Sequence, residues 1–137
     1  MAGDVMATLD RVLHVEDDES IVAIARVALE TVAGLTVLSC TNGYEAVEKA
    51  PEFEPELLLI DVMMPGMDGP STLAALAEVI DLERIPVVFM TAKTQPADHE
   101  SYYKLGAAAV IVKPFDPLEL GQRLMGIWDK FDADPAD

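Results

Sequence analysis

Leu57, Leu58, Leu59 and Ile60 lead without a polar break into Asp61, and the chain then reads Val-Met-Met-Pro-Gly-Met-Asp-Gly as far as Gly69. A short, unbroken apolar run bounded by turn residues fits a strand buried on both faces, as in a parallel sheet. Such a strand ends where the C-terminal edge of the sheet meets solvent. Asp61 is therefore placed at the mouth of the sheet, the edge at which open parallel sheets bind ligands. Pro65-Gly66 and Asp68-Gly69 signal tight turns. Pro70 suits the first turn of a helix, where its missing N–H costs nothing. One carboxylate is thus presented on a strand tip above a tight loop.

The same unit repeats along the chain. Residues 12–15 read as a first strand, followed by Glu16-Asp17-Asp18-Glu19. Asp18 is placed to cap the next helix, and Glu19 suits its positive first turn. Ile21, Ile24, Ala25, Ala28 and Leu29 recur at helical spacing and predict that helix over about 19–32, with Gly34 as its stop. Residues 35–40 form an edge-like strand interrupted by Thr36 and Ser39. Asn42-Gly43 then turns into a short helix over 44–50, and 51–56 is an acidic connector. After the central strand come a helix over 70–80 and a strand over 87–90 that ends at Thr91. A helix over 96–105 follows, then a strand over 110–112 ending at Lys113-Pro114, and a last helix over 117–131.

Five strands alternating with five helices predict an α/β fold. The expected architecture is a single doubly wound five-stranded parallel sheet with helices on both faces and right-handed crossovers. The expected boundaries are an N-terminal extension over 1–10, one domain over 11–131 and an acidic tail over 132–137.

Charge narrows the possible ligands. Twenty-five acidic against nine basic residues give a net charge of -16. That argues against direct contact with nucleic acid or an anionic membrane and leaves cationic partners and metal ions. The single cysteine, Cys40, excludes an internal disulfide and reads as a small buried strand residue in a reducing compartment. His14, inside the first strand, reads as a packed core side chain. The first residues lack the basic and apolar regions of a signal peptide, and no apolar stretch reaches membrane-spanning length. A cytoplasmic location is expected, without membrane insertion.

Because the strands are parallel, their tips share one edge. The first tip presents Glu16 and Asp17, the third Asp61, the fourth Thr91 and the fifth Lys113. Three crowded carboxylates repel and raise one another's pKa unless a cation joins them. Oxygen ligands of this kind suit a hard ion such as Mg2+, and a backbone carbonyl after Asp61 could add a further ligand. With a metal, a lysine and a hydroxyl beside it, Asp61 could carry a phosphoryl group as an aspartyl phosphate.

The ordered set Val-Glu-Asp-Asp, Leu-Ile-Asp-Val-Met-Met-Pro-Gly-Met-Asp-Gly, Val-Phe-Met-Thr-Ala and Val-Lys-Pro-Phe resembles the receiver domains of response regulators in two-component signalling. The resemblance covers about residues 11–131. It implies a flavodoxin-like sheet in the order 2-1-3-4-5 and Asp61 as acceptor of a phosphoryl group from a histidine kinase or histidine phosphotransfer protein. It further implies Asp17 as a direct Mg2+ ligand, Glu16 acting on the ion through water, and the Met63 carbonyl as another ligand. Thr91 would hydrogen-bond the phosphoryl group, Lys113 would pair with it, and Pro114 would hold the loop, often through a cis peptide. Counting from Val15 and back from Ile21 makes Glu16 and Asp17 the acidic pair and places Asp18 one step beyond.

The chain departs from the family at Val110, where many receivers carry Tyr or Phe three residues before the lysine. The aromatic half of the usual switch is missing there, and the loop after Thr91 and the helix that follows are left as candidates for it. The chain is expected to assist its own phosphorylation rather than to act as an enzyme on other substrates. It is expected to signal through protein contacts, as a single-domain regulator with an effector or as a phosphorelay shuttle, without a DNA-binding output domain.

Other readings fit less of the chain. A haloacid-dehalogenase-type phosphohydrolase would carry a second Asp where Met63 stands, and no cap domain fits in this length. A flavodoxin would need amides and hydroxyls in the first strand-to-helix loop, which here is acidic. A receiver-like scaffold that never sees phosphate would not need the full set of tip residues.

Overall fold

The computed structural model describes residues 8–133; the expected extension over 1–10 and the acidic tail over 132–137 fall largely outside that range. Five strands form one parallel sheet: β1 (Arg11–Val15), β2 (Thr36–Cys40), β3 (Leu57–Asp61), β4 (Val87–Thr91) and β5 (Ala109–Val112). Their order is β2-β1-β3-β4-β5. Every neighbouring pair is parallel, with Val15 opposite Ile60 and Asp61 opposite Met90. This is the expected doubly wound α/β architecture, with the interrupted strand β2 at an edge.

The apolar run at 57–60 is central because both its faces are covered. Leu58 and Ile60 join Leu13, Val15 and Phe89 in a cluster closed by Ala46, Ala50, Leu73, Leu76 and Tyr102. Leu57 and Leu59 face the opposite cluster, closed by Ala25, Ala28, Leu29, Leu120, Leu124 and Trp128. All four residues of the run are fully buried, and cutting such a leucine to alanine costs about 2–5 kcal/mol.

The helices are α1 (Glu19–Arg26), α2 (Gly43–Phe53), α3 (Gly69–Leu76), α4 (Pro96–Lys104) and α5 (Leu120–Ala133). Asp18 caps α1, its carboxylate accepting from the Ser20 and Ile21 N–H groups. Four helices differ from the sequence expectation, one in type and three in their ends. The first helix does reach Val32, but from Val27 it widens into a π-helical turn, which apolar spacing does not distinguish from α. The second runs through Pro51 to Phe53, because a proline in the last turn forfeits a single bond and Glu54, at φ 55°, still closes the helix by donating to the Ala50 carbonyl. The third tightens after Leu76 into three-residue turns, and a 3-10 turn follows over Leu82–Arg84. The last begins three residues after Pro117, since a turn around Asp116 comes first: its side chain accepts from Leu118 N–H and its carbonyl from Glu119 and Leu120.

Candidate functional site

The C-terminal edge of the sheet gathers Glu16 after β1, Asp61 ending β3, Thr91 ending β4 and Lys113 after β5. Backbone bonds fix each of these positions. Glu16 N–H donates to the Cys40 carbonyl at 3.0 Å, and Lys113 N–H donates to the Thr91 carbonyl at 2.8 Å. The Lys113–Pro114 peptide is cis. The loop after Asp61 folds back on the strand: Gly69 N–H donates to the Val62 carbonyl at 2.8 Å. A Cβ on Gly69 would stand 2.6 Å from the Asp61 carbonyl oxygen, so no side chain fits there. Gly66, at φ 82°, takes the left-handed turn that the Pro-Gly pair signalled.

Lys113 Nζ lies 2.8 Å from Asp61 Oδ1 and 3.5 Å from Glu16 Oε1. Glu16, Asp61 and Thr91 are 1%, 2% and 2% exposed, whereas Asp17 is exposed. Oxygens of Glu16, Asp17 and Asp61 all fall within 4.8 Å of one another. Asp18 is occupied at the helix cap instead. Met63 follows two residues after Asp61 and is 66% exposed.

The electrostatics follow from burial. Desolvation, then the charge of Asp61, pushes the Glu16 carboxyl up to about 7; the Asp18 N–H and the Lys113 ammonium pull against this. Burial raises the Asp61 carboxyl as well, opposed by its hydrogen bond and charge interaction with Lys113 and aided by the charge of Asp17. For Lys113, burial acts to lower the pKa, but the Asp61 bond and the two carboxylate charges outweigh it and the ammonium is held. Among the described residues, one ammonium thus faces two buried carboxylates and a third at the rim. A cluster of hard oxygen donors carrying surplus negative charge fits a divalent cation.

A family model described as the response regulator receiver domain matches residues 12–125. The chain belongs to the receiver domain family of response regulators. Among curated relatives of this receiver domain, the alkaline phosphatase synthesis transcriptional regulatory protein PhoP of Bacillus subtilis (strain 168) is 34% identical over 117 residues, 85% of this chain and 48% of its own length. The chain spans about half the length of the curated relatives it matches. Among solved structures, the chemotaxis response regulator CheY4 of Vibrio cholerae is 30% identical with a TM-score of 0.79, covering 88% of this chain and 99% of its own. A CheY-like receiver domain protein from Methanospirillum hungatei JF-1 shares the fold at a TM-score of 0.79 and 24% identity, over 92% of this chain and 98% of its own. A receiver domain is a signalling module that works with histidine kinases and downstream effectors rather than a classical enzyme. Among the described residues no helix is long and apolar enough to cross a membrane.

Two titratable strand residues outside the acidic cluster, His14 and Cys40, are buried. His14 has burial, and secondarily the charge of Lys113, holding its pKa down at about 4; neither ring nitrogen has a hydrogen-bond partner among the described residues. Burial likewise pushes the Cys40 thiol up to about 12, far from a reactive thiolate. Sequence reasoning missed the bond between His99 and the Lys93 carbonyl. It joins two residues across a loop, where no periodicity applies.

Proposed function

We propose that this receiver domain accepts a phosphoryl group on Asp61 from a phosphohistidine protein, either a histidine kinase or a histidine phosphotransfer protein. The observation that carries this reading is the buried Asp61 carboxylate held by Lys113 at 2.8 Å beside Glu16 and Asp17. An Asp61 carboxylate oxygen attacks phosphorus, a P–O bond forms, the P–N bond to the donor imidazole breaks, and the imidazole leaves with its electron pair. Lys113 stays positive and pairs with the incoming phosphoryl oxygens, and the Thr91 hydroxyl donates to one of them. Mg2+ held by Glu16, Asp17, Asp61 and the Met63 carbonyl would neutralise charge that Lys113 alone cannot.

An apolar groove of about 370 Å³ adjoins Lys113, lined by Ile21, Ile24, Ala92, Pro114 and Phe115 among others. It offers the phosphohistidine protein a surface next to the acceptor. The domain boundaries at 11 and 131 and a cytoplasmic location belong to the same reading. The excess of acids speaks against nucleic-acid contact by this domain itself. The curated relatives are transcriptional regulators by name, and the charge of this segment says nothing about an output domain.

Intact-mass spectrometry after incubation with a small acyl phosphate tests the reading. Wild type should gain one phosphoryl group in the presence of magnesium, and Asp61→Asn none. Equal uptake by Asp61→Asn would contradict it.

A further inference from the structure

Two bonds in series tie Thr91 to α4, one within its turn and one from the turn to the helix. Thr91 Oγ1 accepts from the Lys93 N–H at 3.0 Å. The Lys93 carbonyl lies 2.8 Å from His99 Nε2. A carbonyl can only accept, so Nε2 carries a proton and donates it. The Lys93 residue is thereby held from both sides, its N–H by Thr91 and its carbonyl by a helix side chain.

The link continues inward from His99. Its ring centroid lies 6.4 Å from that of Tyr102, and Tyr102 lies 5.7 Å from Phe89 at an interplanar angle of 58°. The second pair has the distance and tilt at which aromatic rings attract. Phe89 stands two residues before Thr91 on β4 and opposite Val110 on β5. The connection therefore leaves β4 at Thr91, enters α4 at His99 and returns to β4 at Phe89. Tyr102 is buried in the same cluster as Val110, so α4 brings an aromatic ring into the core that this β5 residue joins.

We propose that His99 is a positioning residue for Thr91. Through the Lys93 carbonyl it holds the Thr91–Lys93 turn in one conformation, and it couples α4 to whatever the Thr91 hydroxyl binds. The proposal rests on the reading of Asp61 as acceptor and names the element that senses the phosphoryl group. If the clip is lost, the turn samples other conformers, and a ligand bonded by Thr91 must first reorder it, which lowers the apparent affinity.

The probe is beryllofluoride with magnesium, a phosphoryl mimic, titrated while backbone amide shifts are followed. His99→Leu should bind about two- to tenfold more weakly, the range expected for one hydrogen bond. The amide responses over 96–104 should shrink in that variant while those next to Asp61 persist. His99→Gln, whose amide can donate to the same carbonyl, should restore both. In a Thr91→Val background, His99→Leu should add no further loss, which a general structural defect would not reproduce. Wild-type affinity and α4 responses in His99→Leu would overturn the proposal, as would an equal loss with and without Thr91. Absence of any wild-type response beside Asp61 would instead sink the acceptor reading, and this inference with it.

Discussion

Arg11 and Glu56 pair at the N-terminal edge of the sheet, and Lys113 and Asp61 pair at the C-terminal edge. Both pairs join residues far apart in the chain. At the N-terminal edge, Arg11 lies 3.5 Å from Glu56 with side chains 36% and 24% exposed. Glu56 also accepts from the Asp10 and Arg11 N–H groups at 2.7 and 3.0 Å, and Arg11 Nε donates to the Glu54 carbonyl. There the hydrogen-bonding groups find partners and water screens what is left. At the C-terminal edge, the side chains of Lys113, Asp61 and Glu16 are 18%, 3% and 1% exposed, and a single ammonium faces two buried carboxylates. Residue types are alike at the two edges; burial and charge balance separate a structural clasp from a site whose surplus negative charge fits another cation.

The largest expected difference is between the two bases. At pH 8, Lys113→Met leaves two buried carboxylates without their cation and should destabilise the domain by about 3–5 kcal/mol. Arg11→Met should cost no more than about 1 kcal/mol, as for exposed pairs. Urea denaturation of both variants without divalent ions measures this, and equal losses would remove the contrast.

The acids should differ in sign. Glu16→Gln relieves a carboxylate whose folded pKa of about 7 lies above its ordinary 4.5. Below 4.5 the group is protonated in both folded and unfolded states and costs nothing, and stability is lost as pH rises from 4.5 through 7. The variant should therefore match wild type near pH 4.5 and exceed it by roughly 1–3 kcal/mol at pH 8. Glu56→Gln should lose about 0.5–1.5 kcal/mol, through weaker acceptance of its two backbone bonds. His14 adds a slope of opposite sign. Its folded pKa of about 4 lies below 6.5, so its contribution is complete above 6.5 and falls by on the order of 2–3 kcal/mol as pH drops to 4. In wild type the two slopes oppose each other between 4.5 and 6.5. In Glu16→Gln the acid-side fall should stand clear in stability curves against pH.

The C-terminal edge could be read from the sequence because each of its parts is local. The run at 57–60 declares a buried strand, Asp61 follows it directly, and Pro65-Gly66 and Asp68-Gly69 declare the loop. Parallel strands then bring Glu16, Asp17, Thr91 and Lys113 to the same edge without any further information. The clasp between Arg11 and Glu56 was not readable from local pattern, since it depends on β1 and β3 being neighbours in a register that sets Val12 opposite Leu57. The bond between His99 and Lys93 depends on a loop conformation that no periodicity encodes. Helix ends were misplaced where a turn or a proline still satisfied the backbone, as at Pro51, Leu76 and Asp116.

The surplus of negative charge at the C-terminal edge is tested most directly by a magnesium titration followed by thermal melts at pH 8. Wild type should be stabilised by roughly 1–3 kcal/mol at tens to hundreds of times Kd, and less at pH 6, where protons compete for Glu16. Asp17→Asn should lose most of that gain. Asp18→Asn keeps an oxygen that can accept the helix-cap bonds, so it should melt within about 0.5 kcal/mol of wild type and keep the full magnesium shift. A wild-type melting temperature that magnesium leaves unmoved, or a shift in Asp17→Asn as large as in wild type, would contradict the account.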